Sequence, residues 1–125
     1  MAKKRILVID DEASITRTMK VNLERTGAYT VRTENQGRQG LTAAREFKPD
    51  LILLDVMMPD VDGGEVATQI ESDPALKHVP IVFLTAIVTK EEAGRDGQEI
   101  GRHFFLAKPV NLETLIRCIE ANTTA

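Results

Sequence analysis

Apolar and polar positions follow two rhythms along this chain. Short, β-rich apolar runs come at Arg5-Ile6-Leu7-Val8-Ile9, Tyr29-Thr30-Val31-Arg32-Thr33, Leu51-Ile52-Leu53-Leu54, Ile81-Val82-Phe83-Leu84 and Phe104-Phe105-Leu106. The second alternates with period two. The first, third and fourth are continuously apolar, which suits strands buried on both faces of a parallel sheet. Between the runs the period lengthens to that of a helix. Ile15, Met19 and Leu23 recur at i, i+4, i+8, and Gly27 closes that segment. Leu41, Ala44 and Phe47 mark a second helix, ended before Pro49. Val66, Ala67 and Ile70 mark a third, running toward Asp73-Pro74. Leu112, Leu115, Ile116 and Ile119 mark the last, with Asn111 as its N-cap. The weakest helical stretch runs from Lys90 to Ile100. It has few apolar residues and carries Gly94 and Gly97, each costing about 1 kcal/mol against alanine in a helix interior.

The order is strand then helix, five times over. Such alternation predicts an α/β, doubly wound (βα)5 fold: a five-stranded parallel sheet covered by helices on both faces. No linker, repeat or low-complexity segment interrupts it, and the stretch after Ala121 is too short for a second domain. The expectation is a single domain over residues 1–125 with no effector domain. A length of 125 residues fits one domain with one real core.

Composition narrows the class. Apolar residues are 42% and charged residues 28%, ordinary values for a soluble globular domain. Asp plus Glu number 19 and Lys plus Arg 16, a net charge of −3, which argues against holding nucleic acid or anionic lipid by bulk charge. No apolar run approaches the roughly 20 residues of a membrane helix. The basic start gives way to Asp10-Asp11-Glu12 too soon for a signal peptide. Cys118 stands alone, so an internal disulfide or a cysteine-based zinc site is excluded. The expected setting is a reduced cytoplasm.

Candidate chemistry follows from where the strands end. In an open parallel sheet, ligands bind beyond the carboxyl ends of the strands. The first run ends in Asp10-Asp11, the third in Asp55, the fourth in Thr85-Ala86, and the fifth, after Ala107, in Lys108-Pro109. Three carboxylates, a hydroxyl and an ammonium therefore converge on one edge. Carboxylates so gathered repel one another and raise one another's pKa. A hard divalent cation relieves that repulsion, and Mg²⁺ suits one or two carboxylates plus phosphate oxygens. A carboxylate can also accept a phosphoryl group. Such transfer mostly demands positioning and charge neutralisation, which a metal, a lysine and a hydroxyl supply.

With these residues in hand, the sequence resembles a response-regulator receiver domain of the CheY type over essentially its whole length. The carriers are Ile9-Asp10-Asp11-Glu12, Leu54-Asp55-Val56-Met57-Met58-Pro59-Asp60-Val61-Asp62-Gly63, Leu84-Thr85-Ala86 and Lys108-Pro109. The resemblance implies the flavodoxin-like strand order 2-1-3-4-5. It implies Asp55 as phosphoacceptor, and Mg²⁺ bound by Asp11, Asp55 and the backbone carbonyl of Met57, with Asp10 acting through water. It implies Lys108 as the partner of Asp55 or its phosphoryl oxygens, Thr85 as the switch hydroxyl, and Phe105 as the aromatic that swings inward when Thr85 moves. Lys108-Pro109 stands where the family carries a cis peptide. Gly64 departs from the bulky apolar residue usual at that place.

The implied function is a phosphorelay signalling element rather than an enzyme. A sensor histidine kinase or a histidine phosphotransfer protein would donate the phosphoryl group. The face made by the fourth helix, fifth strand and last helix would then change and control a downstream protein. No direct nucleic-acid contact or membrane insertion is expected; the domain would be a monomer or a dimer formed on phosphorylation. Apolar Met57 and Ile87 beside the acceptor predict slow self-dephosphorylation, and Gly94, Gly97 and Gly101 predict a readily remodelled fourth helix. His78 and His103 read as surface residues and Cys118 as a partly buried thiol.

Three other readings compete. A haloacid-dehalogenase-type phosphatase needs a second acid two residues after its nucleophile, where this chain has Met57. A flavodoxin needs a phosphate-binding loop where this chain has Asp10-Asp11-Glu12. A receiver fold serving only as a binding module would not require the acid, threonine and lysine set.

Overall fold

A computed structural model describes residues 2–86, 98–100 and 103–123. In chain order these form β1 (Lys4–Ile9), α1 (Ala13–Arg25), β2 (Tyr29–Glu34), a 3-10 turn (Gly37–Gln39), α2 (Gly40–Phe47), β3 (Leu51–Asp55), α3 (Gly63–Glu71), β4 (Ile81–Thr85), β5 (Gln98–Ile100), β6 (His103–Ala107) and α4 (Leu112–Thr123). The sheet order is β2-β1-β3-β4-β6-β5. The five apolar runs of the sequence become β1, β2, β3, β4 and β6. All five are parallel, in the expected order 2-1-3-4-5.

The added strand corrects one expectation. Gln98–Ile100, the end of the stretch read as a fourth helix, is extended and runs antiparallel to β6, with Ile100 opposite His103. A glycine-rich segment with few apolar residues has little to gain from a helix, whereas pairing satisfies backbone groups that an edge strand leaves open. The rest of that stretch, including Gly94 and Gly97, lies outside the described residues, as do Ile87 and Gly101.

Strand alternation divides the core into two halves. Ile6, Val8, Leu53, Leu84 and Leu106 pack with Leu23 of α1 and Leu115 and Ile119 of α4. Leu7, Ile9, Ile52, Leu54 and Phe83 pack with Ala43 and Ala44 of α2 and Val66 and Ile70 of α3. The continuously apolar runs are thus the ones covered from both sides.

Local chemistry fixes the loops that carry the site. Asn111 Oδ1 accepts the Thr114 N–H at 2.7 Å, capping α4 as its sequence position predicts. Asp62 Oδ1 accepts the Gly64 N–H at 2.7 Å and starts α3. The Gly63 N–H donates to the Val56 carbonyl at 2.8 Å. A Cβ at Gly63 would strike the Asp55 carbonyl oxygen, so α3 begins hard against the end of β3 only because this residue is glycine. Asp60 accepts the backbone N–H groups of Gly37 and Arg38 at 3.2 and 3.0 Å, tying the same loop to the neighbouring turn.

Candidate functional site

Asp10 follows β1, and its backbone N–H extends the pairing to the Glu34 carbonyl at 3.0 Å. The residue has no exposed surface. Its Oδ1 accepts the Glu12 N–H at 2.9 Å. Asn35 Nδ2 donates to the Asp10 carbonyl at 2.8 Å and to Thr16 Oγ1 at 3.0 Å, which fixes the chain as it enters α1. Asp11, next in sequence, is exposed at the mouth. Asp55 ends β3 and Thr85 ends β4, both buried. The Lys108 N–H donates to the Thr85 carbonyl at 2.9 Å, so β6 delivers its lysine one step past the paired strands. The Lys108–Pro109 peptide is cis.

The Lys108 ammonium sits 2.7 Å from Asp10 Oδ2, 3.3 Å from Asp55 Oδ1 and 3.8 Å from Glu12 Oε1. Carboxylate oxygens of Asp10, Asp11 and Asp55 lie within 4.8 Å of one another. Burial pushes Asp55 up to about 6, aided by the Asp10 charge and a hydrogen bond with Asp11 and opposed by Lys108. Burial disfavours the charge on Lys108, but Asp10 and Asp55 outweigh it and raise its pKa. Three carboxylates against one ammonium leave an excess of negative charge. Asp10 Oδ2 makes no aligned hydrogen bond among the described residues, and its contact with Lys108 is ionic. An all-oxygen, anionic donor set with spare lone pairs fits a hard divalent cation.

A cleft of about 160 Å³ opens onto this cluster, lined by Asp11, Glu12, Asp55, Met57, Thr85, Ala86 and Lys108. Met57 is 63% exposed at its rim. The structure therefore brings Asp10, Asp11, Asp55, Thr85 and Lys108 together, with Met57 beside them. Phe105 is not in the cleft. It is half-buried on the sheet face covered by α2 and α3, stacked on Phe83 with ring centroids 5.1 Å apart.

Asp60 and Asp62 belong to the same acidic edge but are used as backbone caps, outside the carboxylate cluster. Asn35 holds the chain behind Asp10, and no pattern in the sequence marks it. His78 is exposed, as expected. His103 is not a free surface residue: its Nε2 lies 2.9 Å from Glu71 Oε2, and its side chain is only 22% exposed.

The fold and the site together define a class: a doubly wound α/β domain whose strand ends assemble an acidic trio and a lysine. Residues 6–120 match the family model of the response regulator receiver domain, and the chain belongs to that family. It is 33% identical over 120 residues to the polar-differentiation response regulator DivK of Brucella anthropi, covering 94% of each chain. It is 44% identical over 107 residues to the alkaline phosphatase synthesis transcriptional regulatory protein PhoP of Bacillus subtilis, covering 85% of this chain and 42% of that protein. The structure of the Vibrio cholerae chemotaxis protein CheY4 superposes with a TM-score of 0.80 at 30% identity, covering 96% of this chain and 98% of that one. Receiver domains are signalling phosphoacceptors of two-component systems rather than conventional enzymes. They bind Mg²⁺ at an acidic site and interact with histidine kinases and downstream effectors. Among the described residues, no helix is long and apolar enough to cross a membrane.

Proposed function

We propose that this domain takes a phosphoryl group from a phosphohistidine onto Asp55, in the cytoplasm, and relays the change to a partner through protein contacts. The observation that carries this reading is the placement of the Asp55 carboxylate. It lies 3.3 Å from the Lys108 ammonium, beside Asp10 and Asp11, at the floor of a cleft open to solvent. An Asp55 oxygen attacks phosphorus, the phosphorus–nitrogen bond of the donor breaks, and the imidazole leaves with the bonding pair and takes up a proton. The product is an acyl phosphate, which water can remove.

Asp11, Asp55 and the Met57 carbonyl would hold Mg²⁺, with Asp10 acting through water; when bound, the ion neutralises charge on the transferring oxygens. Lys108 supplies a further positive charge beside Asp10 and Asp55. Its ammonium is already shared between Asp10 and Asp55, so it needs only a short shift to meet a phosphoryl oxygen. Thr85, buried at the end of β4, donates its hydroxyl to the phosphoryl group. Its movement leaves room for Phe105 to rotate, and that rotation changes the face seen by a partner. Exposed, apolar Met57 cannot orient a water, which favours slow self-dephosphorylation.

Incubation with acetyl phosphate and Mg²⁺ tests the acceptor. One phosphoryl group should add to the wild-type chain and none to Asp55→Asn. Unchanged labelling of Asp55→Asn overturns the assignment.

A further inference from the structure

Four side chains outside the cleft form a connected row on one face of the sheet. Phe83 of β4 lies across from Phe105 of β6 in register, and their rings stack at 5.1 Å and 22°. The His103 ring, two residues before Phe105, meets Phe83 edge-on at 5.1 Å and 76°. Its Nε2 is held 2.9 Å from Oε2 of Glu71, the last residue of α3. Phe83 is 5% exposed and precedes Thr85 by two, so both side chains share a face of β4.

From this row we propose that Phe83 is a positioning residue for the switch: it holds the Phe105 ring in its present place and is itself met edge-on by His103, which Glu71 holds. The proposal rests on the switch reading of Thr85 and Phe105 given above. An offset-stacked aromatic pair is favoured beyond the area it buries, and a rotation that carries Phe105 off Phe83 gives that up. The stack therefore lowers the population of the rotated state about two- to tenfold. A phosphoryl group that requires the rotated state binds more weakly by the same factor. The brace reaches the end of α3, so a contact made there would bear on the ring near Thr85.

Beryllofluoride with Mg²⁺, a stable mimic of the phosphoryl group, tests this on the whole chain. Phe83→Leu keeps an apolar side chain and removes the stack. The expected result is a half-saturating beryllofluoride concentration about two- to tenfold lower than in the wild type. His103→Leu should move it in the same direction by less. Ring resonances of Phe83 and Phe105 in the wild-type protein should shift together during the titration, a readout that survives if a variant fails to fold. A merely structural Phe83 would change the melting temperature and leave the midpoint where it was. An unchanged midpoint, or Phe105 resonances that move while those of Phe83 stay fixed, overturns the proposal. A response that persists in Asp55→Asn, or no response in the wild type, instead overturns the phosphoacceptor reading.

Discussion

The Lys108 ammonium lies nearer to Asp10 than to Asp55, at 2.7 Å against 3.3 Å. The side chain of Asp10 is fully buried and that of Lys108 is 11% exposed, so this contact is a buried ion pair rather than a surface one. A buried carboxylate left without its cation is costly, because the loss of its hydration is then uncompensated.

Lys108→Met should therefore destabilise the metal-free protein by about 3 kcal/mol, at the low end for breaking a buried pair because Asp55 can take up a proton instead. Urea denaturation at neutral pH in the presence of a chelator measures this. Mg²⁺ should restore more stability to the variant than it adds to the wild type, since the ion then meets a site with no resident positive charge. Equal stabilisation of the two by Mg²⁺ would contradict the picture of one shared excess of negative charge.

A second, part-buried network lies at the opposite end of the sheet. The Tyr29 hydroxyl donates to Glu120 Oε2 at 2.6 Å, and Lys4 Nζ meets Glu120 Oε1 at 2.8 Å. Tyr29→Phe should cost about 1 kcal/mol, the net worth of a hydrogen bond whose acceptor is half exposed. Lys4 and Tyr29 hold the Glu120 carboxyl below its usual range. That stabilisation is present above the ordinary glutamate range and is lost as pH falls through the lowered value. Tyr29→Phe should accordingly narrow the stability difference between neutral and acid pH.

The two glycines that open α3 provide a contrast within one helical turn. A Cβ at Gly63 meets the backbone of Asp55 and Val56, which cannot move without displacing the Asp55 side chain from the carboxylate cluster. Gly63→Ala should cost about 3 kcal/mol and weaken Mg²⁺ binding together with it. Among the described residues, a Cβ at Gly64 meets only the Asp62 side chain, at 3.3 Å. Gly64→Ala should stay within about 0.5 kcal/mol of the wild type and leave Mg²⁺ binding unchanged, because helix propensity offsets the small crowding. Melting curves with and without Mg²⁺ separate the two.

Why some of this was legible in the sequence and some was not has a physical basis. Asp10, Asp55, Thr85 and Lys108 stand where apolar runs stop, and the end of a buried strand is where a parallel sheet gathers its polar groups. Their convergence follows from topology, which period and alternation reveal. The roles of Asp60 and Asp62 do not, because a carboxylate that caps a backbone and one that faces a cleft carry the same letter at the same edge. The pair His103 and Glu71 spans 32 residues with no periodicity to link them. The β5 strand is three residues long, and local propensity is too weak there to outweigh edge pairing. The family resemblance marks Phe105, but its stacking partner is set by the register of β4 on β6, which a single sequence does not display.

The elevated pKa of Asp55 gives the last prediction its sign. Burial and the Asp10 charge push that carboxyl up to about 6, so the folded, metal-free protein holds a proton more tightly than the unfolded chain does. Its contribution to stability is then full below the ordinary aspartate range near 4 and is lost as pH rises through 6. With a chelator present, the wild type should lose stability relative to Asp55→Asn between pH 5 and pH 7, because the amide cannot ionise. Asp55→Asn should be the more stable of the two at neutral pH. Mg²⁺ competes with the proton for the same oxygens, so its affinity for the wild type should rise over that interval and its stabilising effect should be greatest at the alkaline end. Melting temperatures of both proteins across that pH range, with chelator and with Mg²⁺, provide the measurement. Parallel curves for the two proteins in chelator would mean that Asp55 is already ionised well below pH 5, with Lys108 rather than burial setting its charge.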